Sequence, residues 1–183
     1  MDAAKAKKRS KFLSLVLRHQ PELLDLKLEE GGWTDTNILL DKINNYKKGD
    51  SITFQELNYI VENNDKQRFA FNEDKTKIRA NQGHSTEVEM NYQPTIPPPV
   101  LYHGTATKNV DSILKNGILK GNRQYVHLSA DTETAQKVGS RHGKPYIFKI
   151  ETFKMQQTGI LFYQADNGVW LTDFVPSEFL KQK

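Results

Sequence analysis

An α+β protein built as two lobes is what this sequence predicts, and three observations carry the prediction. Helical periodicity with capping signals runs from Ala3 to Val61, a short hairpin pattern follows, and a proline-rich break then opens a half in which β-type runs alternate with helices. Three helices followed by a hairpin is the order of a winged helix, so the first lobe is expected to be one. The 183 residues are enough for two small cores.

Ala3 to Arg18 is predicted as a helix because Phe12, Leu13, Val16 and Leu17 recur on one face while lysines fill the other, and Pro21 ends it. Thr34 is the expected cap of a second helix bearing Ile38, Leu39 and Ile43. Thr53 with Glu56 forms a capping box for a third, bearing Leu57, Ile60 and Val61. Arg68–Phe71 and Lys77–Arg79 flank the turn-rich Asn72-Glu73-Asp74-Lys75-Thr76 as a hairpin. Beyond Asn81 the pattern turns polar and ends in Pro94-Thr95-Ile96-Pro97-Pro98-Pro99, which continues neither a helix nor a central strand. The expected division is a first lobe over residues 1–85, a linker over 86–98 and a second lobe over 99–183. In the second, Val100–Tyr102, Val126–Leu128, Tyr146–Ile150, Leu161–Tyr163 and Val169–Leu171 read as strands, with helices near Asn109–Asn116 and Thr132–Arg141. Gly117 suits the position past a helix end, and Asp166-Asn167-Gly168 a hairpin turn.

Composition narrows the function classes. A net charge of +4 and a pI near 9.1 favour a polyanionic partner. Lys5, Lys7, Lys8, Arg9 and Lys11 form a strip that suits a nucleic-acid backbone, or equally a solvated helix face. No apolar run approaches the roughly 20 residues of a membrane span, and the first residues lack a secretory segment, so a cytoplasmic protein is expected; it is expected to act as a monomer. The absence of cysteine removes disulfides, thiolate nucleophiles and sulfur-ligated zinc; the five histidines are too scattered for a metal motif, so no metal is expected.

Neither a Rossmann fingerprint nor a P-loop is present, so a nucleotide must be held in another way. Tyr102-His103-Gly104-Thr105 places an imidazole, a permissive glycine and a hydroxyl where a strand is expected to give way to a loop. Val126-His127-Leu128-Ser129 repeats the histidine and the hydroxyl, with Arg123 just upstream. In the first half, Leu17-Arg18-His19-Gln20-Pro21 and Lys66-Gln67-Arg68-Phe69 supply cations suited to phosphate. Each has a plainer reading: Arg18 and His19 favour a helix C-terminus, Arg68 a strand edge and Arg123 an exposed loop.

Seven ordered segments decide between these readings: the two of the first half just quoted, Gly31-Gly32-Trp33, Ile78 to Ser85 (with Gln82-Gly83-His84-Ser85), Tyr102 to Thr105, Arg123 to Ser129, and Asn167-Gly168-Val169-Trp170-Leu171-Thr172. Together they closely resemble the RNA 2′-phosphotransferases, which use NAD to remove a 2′-phosphate from spliced RNA, typically tRNA. The resemblance implies an N-terminal RNA-binding lobe of winged-helix type and a C-terminal lobe of the ADP-ribosyltransferase fold. It also implies a catalytic quartet that falls on Arg18, His19, Arg68 and Arg123. NAD contacts are expected from His103, Gly104, Thr105, His127, Ser129 and Val169, and RNA or phosphate contacts from Lys66, Gln82 and His84. The implied reaction has two steps. The RNA 2′-phosphate displaces nicotinamide from NAD, giving RNA linked through that phosphate to ADP-ribose. The neighbouring ribose hydroxyl then attacks phosphorus, leaving RNA with a 2′-hydroxyl and ADP-ribose 1″,2″-cyclic phosphate. Tyr125 departs from the family, which often has histidine there. Val169 stands where many ADP-ribosyltransferases carry a glutamate, and an apolar residue suits a phosphate nucleophile that a carboxylate would repel. Two other functions remain to be weighed: a transferase that stops after the first step, and a nonenzymatic RNA binder with a nucleotide-sensing lobe.

Overall fold

Capping explains where the helices of the first half begin. The computed structural model describes residues 1–46 and 51–182. The Asp2 carboxylate accepts from the Lys5 N–H at 2.8 Å and starts α1 (Ala3–Arg18), whose buried face carries Leu13, Val16 and Leu17. Asp35, rather than the expected Thr34, caps α2 (Thr36–Tyr46), its Oδ1 accepting from the N–H groups of Asn37 at 2.8 Å and Ile38 at 2.9 Å. Thr34 and Asp35 form the short strand β1 (Thr34–Asp35). Leu39, Leu40 and Ile43 face the core from α2, whereas Ile38, expected inside, is 51% exposed. The capping box of Thr53 and Glu56 is present at α3 (Phe54–Glu62).

Strands β2 (Phe69–Phe71) and β3 (Lys77–Ala80) form the expected hairpin, and β1 joins β3 antiparallel to give a three-stranded sheet. Its inward residues, Phe69, Ile78 and Ala80, complete a core with Leu13, Leu17 and Leu57. Arg9 departs from the expected basic strip: it is buried and ion-paired with Glu56 at 2.7 Å.

The chain divides into two compact units, Met1–Asn91 and Tyr92–Lys183. In the stretch expected as linker, the Glu89 carbonyl accepts from the Gly31 N–H at 2.7 Å and Met90 is buried.

The second unit opens on β4 (Leu101–Ala106), so Gly104 and Thr105 lie inside a strand and not at its end as expected. There follow α4 (Val110–Asn116), stopped by Gly117 at φ 75°, then β5 (Ile118–Leu119), β6 (Val126–Leu128), α5 (Thr132–Gly139), β7 (Pro145–Ile150) and α6 (Thr152–Gln157). Strands β8 (Tyr163–Gln164), β9 (Trp170–Thr172), β10 (Phe174–Val175) and β11 (Leu180–Gln182) complete it. The sheets are β11-β7-β4, β6-β9-β8 and the pair β10-β5, all antiparallel. Leu101, Leu128, Phe148, Ile150, Met155 and Phe162 fill the core of this unit. Gly104 is explained by packing. A Cβ on it would stand 1.7 Å from the Ala135 carbonyl oxygen, and one on Gly139 would stand 2.8 Å from that of Thr105, so α5 lies directly on β4.

Candidate functional site

In the N-terminal unit, the end of α1 and the start of the hairpin bring Arg18 and Arg68 together. Arg18 donates from Nη2 to the Arg68 carbonyl at 3.0 Å and lies 5.9 Å from the Phe69 ring centroid. Arg68 donates from Nη1 to the Asn64 side-chain oxygen at 3.1 Å. The backbone that presents Arg68 is held tightly: Gln67 adopts φ 41°, its carbonyl accepts from Asn81 Nδ2 at 2.6 Å, and the Arg68 carbonyl also accepts from the Asn81 N–H at 2.9 Å. A left-handed φ at a glutamine is costly, and the double clamp by Asn81 supports it. His19 caps α1, and its Nδ1 meets Ser85 Oγ at 2.9 Å, while Ser85 donates its N–H to the Arg18 carbonyl at 2.9 Å. The residues after the hairpin thus fasten the helix end that carries Arg18 and His19.

Arg18 and Arg68 line an open cleft of about 690 Å³ within this unit, together with Lys66, Lys7 and Lys11. Five basic side chains and a single acidic one, Asp65, line it, so its field favours an anion. His84, expected to touch RNA or phosphate, is enclosed at 1% exposure, with its ring 3.3 Å from where a Cβ on Gly32 would stand. Burial pushes its pKa down to about 4, and the charges of Arg18, His19 and Arg79 push the same way. It is therefore neutral at physiological pH, and it shapes the setting of Arg18 from inside. Gln82 is half-buried beside it in sequence. Trp33 is half-buried beneath the Arg79 guanidinium at 4.5 Å.

In the C-terminal unit, a bridge between Tyr102 and Ser129, with N–H to carbonyl bonds of 2.9 and 2.8 Å, draws the start of β4 onto the end of β6. His103 and His127 become neighbours as a result. A carbonyl only accepts, so the 3.1 Å contact of His103 Nδ1 with the His127 carbonyl places the proton on Nδ1. Burial lowers the pKa of His103 against the opposing pull of the His127 carbonyl, the Arg123 charge lowers it further, and with the proton on Nδ1 the neutral ring has Nε2 as its acceptor. Arg123 donates from Nη1 to His127 Nδ1 at 3.1 Å, which fixes the other tautomer there, with the proton on Nε2. Thr105 Oγ1 accepts from Asn109 Nδ2 at 3.1 Å and is buried, and Val169 lies half-buried at the tip of the β8–β9 hairpin. Tyr125 packs between Tyr92 and Tyr163, with ring centroids 5.9 and 5.5 Å away.

The chain matches the family model described as "RNA 2'-phosphotransferase, Tpt1 / KptA family" over residues 4–174. The chain belongs to the RNA 2′-phosphotransferase family. Similar proteins named "Probable RNA 2'-phosphotransferase" occur in Flavobacterium johnsoniae, 55% identical with 97% of each chain covered, and in Trichormus variabilis, 53% identical with 98% of each covered. A third, from Fusobacterium nucleatum, is 53% identical over 95% of this chain and 97% of its own. As an RNA 2′-phosphotransferase family member the chain is a transferase, which sets aside the nonenzymatic binder.

Sequence reasoning named Arg18, His19, Arg68 and Arg123 and quoted Asn81 and Ser85 within a matching segment, but it missed their part in holding the Arg68 backbone and His19, and it missed Asn64 altogether. Asn64 stands one helical turn before Arg68 in sequence, a spacing that signals contact only once the local backbone is known. Among the described residues no group of three or more His, Asp or Glu is placed to hold a metal ion, and no helix is long and apolar enough to cross a membrane.

Proposed function

We propose that this enzyme removes an internal 2′-phosphate from RNA, tRNA included, by transferring it to NAD, and that Arg18, His19, Arg68 and Arg123 carry the reaction. The observation that supports this best is the pairing of Arg18 and Arg68 on one cationic cleft in a member of this family. The N-terminal unit is read as a winged-helix RNA-binding module and the C-terminal unit as an ADP-ribosyltransferase fold.

The C-terminal residues fit NAD in chemical kind. Arg123 offers a cation for its pyrophosphate, His127 an Nε2–H donor, His103 an Nε2 acceptor and Ser129 a hydroxyl, a set suited to ribose and phosphate oxygens. NAD supplies an electrophilic ribose carbon with a cationic leaving group and, next to it, the hydroxyl that receives the phosphate. The protein's task is positioning and charge. A 2′-phosphate dianion needs no base to attack, and Val169 leaves that nucleophile free of carboxylate repulsion. When the phosphate is then passed on, negative charge gathers on its oxygens, where preorganised guanidinium groups act most strongly. Arg18 and Arg68 arrive already oriented, by the Arg68 carbonyl and by Asn64. His19, held through Nδ1 by Ser85, is assigned to bind the phosphate and to protonate the departing RNA 2′-oxygen.

The test is to incubate the protein with NAD and an RNA bearing one internal 2′-phosphate. Release of nicotinamide, ADP-ribose 1″,2″-cyclic phosphate and RNA with a 2′-hydroxyl is expected. Binding without turnover, or an end point at RNA still joined to ADP-ribose, overturns the reading.

A further inference from the structure

The cleft of the N-terminal unit extends well beyond Arg18 and Arg68. Lys7, Lys11, Ser14 and Arg18 recur on one face of α1 at spacings of three and four residues, and all four line it. At 1.5 Å per residue, Lys7 lies about 16 Å along the helix from Arg18, too far to share one phosphate. Lys7 and Lys11 are exposed and form no ion pair among the described residues. Tyr59 of α3 lines the same cleft and is 41% exposed although aromatic. Among the described residues its ring stacks on no other aromatic side chain. A row of cations and a bare aromatic ring in one cleft is the pattern that binds single-stranded nucleic acid: the cations follow phosphates and the ring takes a base. Duplex RNA would leave the ring without a partner, because its bases are already stacked.

We propose that single-stranded RNA flanking the 2′-phosphorylated nucleotide occupies this cleft, with Lys7 and Lys11 on backbone phosphates and Tyr59 stacked on a base. The proposal rests on the reading that Arg18 and Arg68 hold the 2′-phosphate, and it adds that the substrate is recognised through unpaired neighbours as well as through the phosphate itself.

Two substrates test it, each with one 2′-phosphate: a dinucleotide, and a single strand of roughly ten nucleotides, within the span such surfaces cover. In Lys7→Ala/Lys11→Ala the KM for the longer strand is expected to rise about three- to twentyfold. The slope of log affinity against log salt should fall by about 1.4 for two lost phosphate contacts. Tyr59→Leu should raise the same KM roughly tenfold, and Tyr59→Phe, which keeps the ring, should match the parent. Dinucleotide kinetics should hold in every variant. Unchanged KM and salt slope on the longer strand, equal losses on both substrates, or tighter binding of a duplex than of a single strand would overturn the proposal. If the parent turns over neither RNA, the catalytic reading fails on its own. Fluorescence anisotropy with an unphosphorylated strand then decides the cleft: loss of binding in the lysine and Tyr59→Leu variants supports it, and equal binding refutes it.

Discussion

Acid should weaken the N-terminal unit through His84 before any carboxylate titrates. The ring is 1% exposed, and burial, then the charges of Arg18, His19 and Arg79, hold its pKa near 4 against an ordinary 6.5. A base whose pKa is depressed by folding resists protonation in the folded state. Its contribution is therefore complete above pH 6.5 and drains away as pH falls toward 4. The full loss is about 3 kcal/mol, and about 2 kcal/mol of it is gone by pH 5, above the range in which ordinary carboxylates titrate. The assay is urea unfolding at pH 7 and pH 5, followed through the Trp33 indole resonance, which belongs to the same unit. His84→Asn, which has a polar group but no charge to gain, should lose far less between the two pH values. Equal losses in parent and variant would refute the reasoning, as would a His84 resonance that titrates near pH 6.5.

Other expectations follow from the same geometry. Arg68→Ala should slow release of the 2′-hydroxyl RNA by tenfold to a few hundredfold, from the loss of a charge-assisted bond of about 1.5–3 kcal/mol. RNA still linked to ADP-ribose should accumulate, which a gel of the labelled strand would reveal, and Arg68→Lys should rescue poorly for want of a planar fork. Gly104→Ala should cost about 3 kcal/mol or more, because the new methyl meets a backbone oxygen that cannot swing aside; a melting temperature equal to the parent's would contradict this. Glu56 is pulled down to about 2, first by the Thr53 N–H and then by Arg9 and Lys5. Its stabilisation is therefore full above the usual carboxylate pKa and disappears as pH falls toward 2. Glu56→Gln should cost about 1–2 kcal/mol at pH 7 by chemical denaturation, and the gap should close in acid.

Signals that act through neighbouring backbone were legible in the sequence. Thr53 with Glu56, Gly117 after α4 and Gly168 in its turn each satisfy a local rule and stand where that rule puts them. What failed depended on the partner across space. Arg9 looks like one more cation of a basic strip until Glu56 turns it inward. Gly104 reads as a residue at the end of a strand until it is seen within β4, with Ala135 packed against it. Strands of two or three residues such as β5, β10 and β11 have no period to read, and α6 begins at a Thr152 whose hydroxyl bonds to the Pro98 carbonyl, a partner no local pattern announces. At the candidate site the charged groups were named from motifs, whereas Asn64 went unnoticed and Asn81 and Ser85 were quoted without the aiming role they have.

The two imidazoles of the C-terminal unit are locked in opposite proton arrangements, one by a main-chain oxygen and the other by a guanidinium. The two rings therefore differ in what they exchange through Nε2, one accepting a hydrogen and the other donating one. A sugar hydroxyl, which both gives and takes a hydrogen, suits either ring in kind, whereas a bare inorganic anion suits only the second. The neighbouring arginine would draw either kind of visitor, but only the one that carries its own hydrogen satisfies the pair.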